Sequence, residues 1–274
     1  QRVFLLVAIL SVLAKGQEKN NSPYNISRDL DMKIAGISGG LLLGSMLMDY
    51  TPMDLSEIAG LKPSDVPDYD SRAIDNWNVG SIKMSDLLLF SSIAVPGLLM
   101  FDQEIRSDYR NFSLVWAQSL FLTLGFTNFT KVLVGRPRPY LYADNASDNY
   151  KLKKDNRKSF FSGHTSISAV SWFLMASMYE DYRPGSNISP YLRASAFLVP
   201  AYTAYCRYDA GKHFLSDVVA GYLVGSAIGV LVPRWYTKNN NKFYLLPNEA
   251  VSENYQLKIV KICKYLKKKK SDFL

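Results

Sequence analysis

The stretch Asn111-Phe-Ser-Leu-Val-Trp-Ala-Gln-Ser-Leu-Phe-Leu-Thr-Leu-Gly-Phe-Thr-Asn-Phe-Thr130 runs for 20 residues without a charge. It has no alternation of apolar and polar positions, so it reads as a helix. Its length matches the roughly 20 residues that an α-helix needs to cross the hydrocarbon core of a bilayer. Five further apolar blocks surround it: Ile34–Met48, Leu87–Phe101, Thr165–Tyr179, Ala194–Cys206 and Val218–Pro233. Each is rich in Leu, Ala, Gly, Ser and Met and is shorter than a full span, so a buried helix of a water-soluble all-α domain competes with a membrane helix for each. Pro96 and Pro200 are expected to kink their helices. The expected fold is all-α: a bundle of about six core helices, membrane-spanning, with the active site at one end.

Between the blocks the chain is polar. Residues 51–83 carry Asp54, Glu57, Asp65, Asp68, Asp70 and Asp75 with few cations, and read as a loop with one short helix starting near Thr51-Pro52. Pro139 to Ser159 is a second long loop. At the N-terminus, Arg2 followed by Val3–Ala14 has the charged and apolar regions of a secretory signal peptide, with an uncleaved anchor as the alternative. The chain thus divides into a signal or anchor over 1–16, a helical domain over 17–237 with its motif core at 84–233, and a linker with a basic tail over 238–274.

Charge narrows the partners. The formal net charge is +8, but nine lysines against three acids from Lys238 onward hold six of the excess charges. The body is therefore near neutral, and no nucleic-acid-binding face is indicated. In the tail Tyr255, Ile259, Ile262, Cys263 and Leu266 share one helical face, with Lys258, Lys261 and Lys264 off it. That pattern suits an anionic membrane surface, and a solvated charged end suits it equally. Two cysteines and two histidines support neither a disulfide framework nor a closed zinc site, so no metal and no cofactor is expected.

Three segments at block ends carry complementary chemistry. Lys131-Val-Leu-Val-Gly-Arg-Pro-Arg138-Pro139 leaves the third block with cations that can converge on one anion, the guanidinium by bidentate contact and the ammonium as a point charge. Basic residues beside an apolar helix are also common interfacial anchors. Ser162-Gly163-His164-Thr165 opens the fourth block with backbone N–H groups and a hydroxyl, an anion cradle, beside a histidine suited to protonating a leaving oxygen. Its simpler reading is an N-cap at Ser162 or Thr165. Arg207-Tyr-Asp-Ala-Gly-Lys-His213-Phe-Leu-Ser-Asp217 leads into the sixth block, and the i, i+4 spacing of His213 and Asp217 places them on one face of a helix. A carboxylate there would fix the ring tautomer and leave the other nitrogen free to attack.

These segments together resemble the type 2 phosphatidic acid phosphatase superfamily, whose pattern is K-x6-R-P, then P-S-G-H, then S-R-x5-H-x3-D. Here it reads Lys131-x6-Arg138-Pro139, Ser162-Gly163-His164 and Arg207-x5-His213-x3-Asp217 over roughly residues 84–233. Phe161 replaces the usual proline and Cys206 the usual serine. The resemblance implies that His213 attacks phosphorus, Asp217 orients it, and His164 protonates the leaving alkoxide and then activates water. It implies that Lys131, Arg138, Arg207, Ser162 and Gly163 hold the phosphoryl oxygens, with Arg136 as an alternative to Arg138 that the spacing disfavours. The expected function is metal-independent hydrolysis of a membrane lipid phosphate, or a pyrophosphate, through a phosphohistidine. A soluble periplasmic acid phosphatase and a vanadate-dependent haloperoxidase share the motifs.

The expected location is a bacterial inner membrane, with the active site facing the periplasm; a soluble periplasmic protein is the alternative. The positive-inside rule puts the basic tail in the cytoplasm, and with six spans it puts residues 15–33 there too. A cleaved signal peptide would place them outside. Either the signal is not cleaved, or a block does not span, or the chain is soluble.

Overall fold

The computed structural model describes residues 22–238 apart from 49, 144 and 145. The signal or anchor segment and the basic tail lie outside the described residues. Six long helices carry the fold: α1 (Arg28–Leu47), α2 (Val79–Ala94), α3 (Tyr109–Val134), α4 (Gly163–Tyr182), α5 (Ser189–Asp209) and α6 (Leu215–Tyr236). Each overlaps one apolar block; α3 to α6 extend past theirs at both ends, whereas the second block runs beyond α2 into the segment that follows. Asn78 caps α2 by accepting from Ser81 N, and Ser162 caps α4 by accepting from Thr165 N. Gly135, with φ 57°, closes α3 in the left-handed region. At Pro96 the α-helix gives way to a 3-10 segment, Val95–Phe101, whereas Pro200 is absorbed within α5.

Helix α4 is the hub. Fifteen of its twenty residues are buried, and it packs against α2, α3, α5 and α6. Its contact with α6 is made by a stripe of small residues at i, i+4 and i+8. A Cβ added at Gly221, Gly225 or Gly229 would lie 2.6, 2.2 or 2.7 Å from the carbonyl oxygens of Ser162, Ser166 and Val170. The two backbones can approach this closely only because those side chains are absent. Helix α1 packs on α3 at the periphery and buries only Ile34 and Ser38.

The outer surface is apolar on every side. Leu43 and Met46 on α1, Leu87 and Phe90 on α2, Phe126 on α3, Phe197 and Leu198 on α5, and Leu223 on α6 are all exposed. Such a belt is a liability in water and the natural surface in hydrocarbon. Among the described residues, three helical stretches are long and apolar enough to cross a membrane: Arg28–Leu47, Val79–Phe101 and Leu215–Tyr236. The sequence had pointed instead to the third block alone. The first, second and sixth helices gain their length from residues beyond the uncharged runs, while α3 turns Gln118, Ser119, Thr123 and Thr127 inward.

Because the helices alternate in direction, three connections meet at one end: residues 48–78, 135–162 and 210–214. The first was expected to hold one short helix near Thr51-Pro52. It holds helical turns at Leu55–Ala59, Pro63–Asp65 and Asp68–Ser71 instead, the first starting from a capping box at Asp54 and Glu57. At the opposite end Arg183 pairs with Asp102 at 2.9 Å, Tyr182 donates to Asp108 at 2.8 Å, and Tyr24 donates to Asp181 at 2.9 Å. Residues 22–26 lie there beside 236–238, with Asn25 N on Tyr236 O at 2.7 Å and Lys238 N on Pro23 O at 2.9 Å. The entry to α1 and the exit from α6 therefore share the end remote from the three connections.

Candidate active site

The second and third connections are joined through their backbones, and the second is also tied to itself and to the first turn of α6. Tyr140 N donates to Gly211 O at 3.2 Å, Ser162 N to Asp217 O at 3.0 Å, and Ser159 N to Arg136 O at 3.0 Å. Gly211 has φ 65°, and a Cβ there would fall 2.0 Å from Asn76 O, so only glycine lets the 210–214 turn nest against the first connection. This frame fixes His213, which is 1% exposed.

His213 does not share a helical face with Asp217, as the spacing suggested. It lies in the turn before α6, and Asp217, in the first turn of that helix, reaches back. Asp217 Oδ2 accepts from Phe214 N at 2.9 Å and from Ser159 Oγ at 2.5 Å. It stands 3.6 Å from His213 Nδ1, just beyond hydrogen-bond reach. His213 Nδ1 has no hydrogen-bond partner, so the ring is free to close on Asp217 when a ligand settles, as catalytic hydrogen bonds in free enzymes commonly do.

Arg136 and Arg138 separate cleanly. Arg136 donates to Asp217 Oδ1 at 2.7 Å, to Ser216 Oγ at 2.8 Å and to Asp70 Oδ2 at 2.8 Å. Asp70, fully buried, also accepts from Ser216 N at 2.9 Å. Arg136 is therefore engaged by two buried carboxylates, one of them the carboxylate beside His213. Arg138 is buried and donates to Asp155 Oδ2 at 2.6 Å and to Lys212 O at 3.1 Å.

Cations converge on His213. Burial first, and then the nearby Arg138, Lys131, Arg207 and His164, hold its pKa well below the usual histidine value, so the ring is neutral and its lone pair available. Lys131 donates to Lys158 O at 2.7 Å, and a Cβ on Gly163 would lie 3.8 Å from Lys131 Cε, which places the opening of α4 beside this ammonium. Arg207 donates to Ser85 Oγ at 3.2 Å, while its Nε is buried without a partner. Lys212 is caged by the rings of Tyr150, Tyr140 and Trp77 at 3.5, 4.4 and 5.1 Å. Burial and then Arg138 and Arg207 push it down to about 6. Asp155 is raised by burial but brought below the usual carboxylate range by Arg138 and Lys212. Unpartnered donors in a buried, cation-rich cradle fit an anion.

Ser162 is the N-cap that the simpler reading expected. Its Oγ accepts from Thr165 N at 3.4 Å and Thr165 Oγ1 at 2.9 Å, and both bonds leave the serine its own hydrogen to donate. The first-turn N–H groups of α4, at Gly163 and His164, have no intrahelical acceptor and add the positive end of a helix dipole. His164 Nε2 lies 2.8 Å from Asp86 Oδ1. Phe161 and Cys206, the two departures from the motif, are buried at 3% and 1% exposure. Asp86, Ser85, Asp70, Arg136 as a carboxylate partner, and the Lys212 cage are all additions to the residues expected from sequence. Among the described residues no group of three His, Cys, Asp or Glu is placed to hold a metal.

Residues 113–241 match the PAP2 superfamily. The chain is similar to a PA-phosphatase related-family protein of Dictyostelium discoideum, 28% identical over 183 residues that cover 62% of this chain and 66% of that one. It is also similar to phospholipid phosphatase 1 of Rattus norvegicus, 28% identical over 134 residues, 40% of this chain and 47% of that one. The chain thus spans between about half and just under two thirds of these relatives' lengths. Both are eukaryotic proteins, which lend nothing to a bacterial origin. A crystal structure titled as the first transmembrane PAP2 type phosphatidylglycerolphosphate phosphatase, from Bacillus subtilis, aligns with 85% of this chain and 92% of its own at 15% identity. Its TM-score is 0.40, and the helical fold rests on the helices described above.

Proposed function

From a chain that carries a PAP2 superfamily domain in residues 113–241, we propose a membrane phosphatase that hydrolyses a lipid phosphate through a phosphohistidine. The observation that carries this reading is the buried His213, set beside Asp217 with Lys131, Arg138 and Arg207 close enough to disfavour a charge on its ring. In the first step the His213 lone pair forms a bond to phosphorus. The ester P–O bond breaks, and the leaving alkoxide takes a proton from His164. Arg136 holds Asp217 so that its carboxylate meets the positive charge that develops on His213. In the second step water attacks phosphorus and gives its proton to His164, the N–P bond breaks, and phosphate leaves. Lys131, Arg138, Arg207, Ser162 and the Gly163 N–H bear the phosphoryl charge, since this chemistry needs positioning and charge stabilisation above all.

The exposed apolar belt favours a lipid substrate over the soluble acid-phosphatase reading. Residues 22–26 and 236–238 share an end, so a cytoplasmic basic tail would put residues 22–26 in the cytoplasm and the catalytic end on the opposite side. The test is a comparison in mixed micelles of phosphatidate, lysophosphatidate, a polyprenyl pyrophosphate and a soluble phosphomonoester, with and without EDTA. A preference for a lipid phosphate that survives the chelator is expected. Equal kcat/KM for the soluble ester, or loss of activity on chelation, contradicts the proposal.

A further inference from the structure

His164 stands with a partner that neither the motif nor the matched domain supplies. Asp86 lies on α2, outside residues 113–241, and its Oδ1 is 2.8 Å from His164 Nε2 and 3.9 Å from Arg207 Nη1. Its neighbour Ser85 is fully buried and accepts from Arg207 Nη1 at 3.2 Å. Ser81, one turn earlier, donates to Asp209 Oδ2 at 2.5 Å. The first turns of α2 are therefore fastened to the catalytic end of α5, and Asp86 is carried into the site on a rigid element.

The chemistry of the leaving-group step explains what a carboxylate would do there. To act as an acid, His164 must carry two protons, and its imidazolium would sit among Arg207, Arg138 and Lys131. An ionised carboxylate accepts only, so in this contact Nε2 carries the hydrogen. That leaves Nδ1 as the nitrogen that can pass a proton to the leaving oxygen. Arg207 flanks the carboxylate on its other side and holds its direction.

We infer that Asp86 is the positioning residue for the acid: it fixes Nε2–H, turns Nδ1 toward the leaving oxygen and supplies the negative charge that lets His164 hold its second proton. This rests on the reading of His164 as the acid. The proton balance is closed. Nδ1–H goes to the alkoxide as the P–O bond breaks, water restores it in the second step, and the Nε2–H to Asp86 contact persists throughout.

The readout is dependence on the leaving group, since nitrophenoxide departs without a proton and an alkoxide does not. Wild type, Asp86→Asn, Asp86→Glu and His164→Ala, each purified at full length in detergent, are compared on an alkyl phosphate and on p-nitrophenyl phosphate. In Asp86→Asn the ratio of alkyl to nitrophenyl kcat/KM is expected to fall roughly 10- to 100-fold, part of the 10²–10⁴ that a positioned acid contributes. His164→Ala should lower the ratio at least as far, and Asp86→Glu, which keeps the carboxylate, should restore part of it. If the ratio falls in His164→Ala but not in Asp86→Asn, the inference is overturned while the acid stands. If it holds in His164→Ala, both fail. Parallel loss of the two substrates in Asp86→Asn, including complete loss, counts against the inference as well, because a merely structural role moves them together.

Discussion

Arg136 and Arg138 lie two residues apart and do unrelated work. The bond from Arg138 to Lys212 O sets a guanidinium over the nucleophile's turn, where it can meet a phosphoryl group, whereas Arg136 is spent on two buried carboxylates. Breaking a buried ion pair by removing one partner costs about 3–5 kcal/mol, so Arg136→Ala should lower the melting temperature in detergent markedly. Arg138→Ala, whose carboxylate partner Asp155 is half-exposed, should cost less stability and lower kcat/KM by more than about 100-fold, the scale of one lost charge-stabilising donor. Melting curves and kinetics on the two variants check the assignment; the opposite pattern would exchange their roles. The motif spacing singled out His213, His164 and Arg138 in the sequence, and the structure brings them to one end of the bundle. Asp70 was not legible, because nothing local distinguishes it from its acidic neighbours, and only a contact 66 residues away selects it. Asp86 was missed for a simpler reason: it sits one residue before the apolar block that began at Leu87, in the part of α2 that polarity had trimmed off.

Six helices could be read from six apolar blocks, since burial in a bundle leaves a run of uncharged residues whatever the solvent outside. Their order of importance could not. The longest uncharged run became α3, but the centre of the bundle is α4, whose serines and alanines look unremarkable as composition and matter because α6 presses on them. Gly225 is the tightest point, where an added Cβ would lie 2.2 Å from a backbone oxygen that cannot move aside. Gly225→Ala is therefore expected to cost at least the 1–3 kcal/mol of an overpacked core. Gly40→Ala on α1, where a Cβ meets nothing within 4 Å, should stabilise by about 0.5–1 kcal/mol from helix propensity alone. Thermal melts of the two alanine variants compare them directly. Equal effects would mean that the α4–α6 contact is not as close as described.

At the scale of the whole molecule, the bundle separates two ends: His213 and the cations around it at one, and both the entry to α1 and the exit from α6 at the other. Contacts between segments more than 200 residues apart put residues 22–26 and 236–238 at the same end, which no local pattern could foresee. Single cysteines placed at Ser64 in the first connection and at Asn187 between α4 and α5 should react with an impermeant maleimide from opposite faces of sealed vesicles. Labelling of both from one face would contradict the placement of these two connections at opposite ends of the bundle.

The proposed function turns on one bond, between His213 and phosphorus. The direct measurement is to quench the enzyme during turnover of a ³²P-labelled lipid phosphate and assay the protein for base-stable, acid-labile label. The account predicts phosphohistidine on wild type, and more of it on His164→Ala, where hydrolysis lacks its base, when a substrate with a good leaving group is used. It predicts none on His213→Ala. Label that persists in His213→Ala, or its complete absence from an actively turning-over wild type, would contradict it.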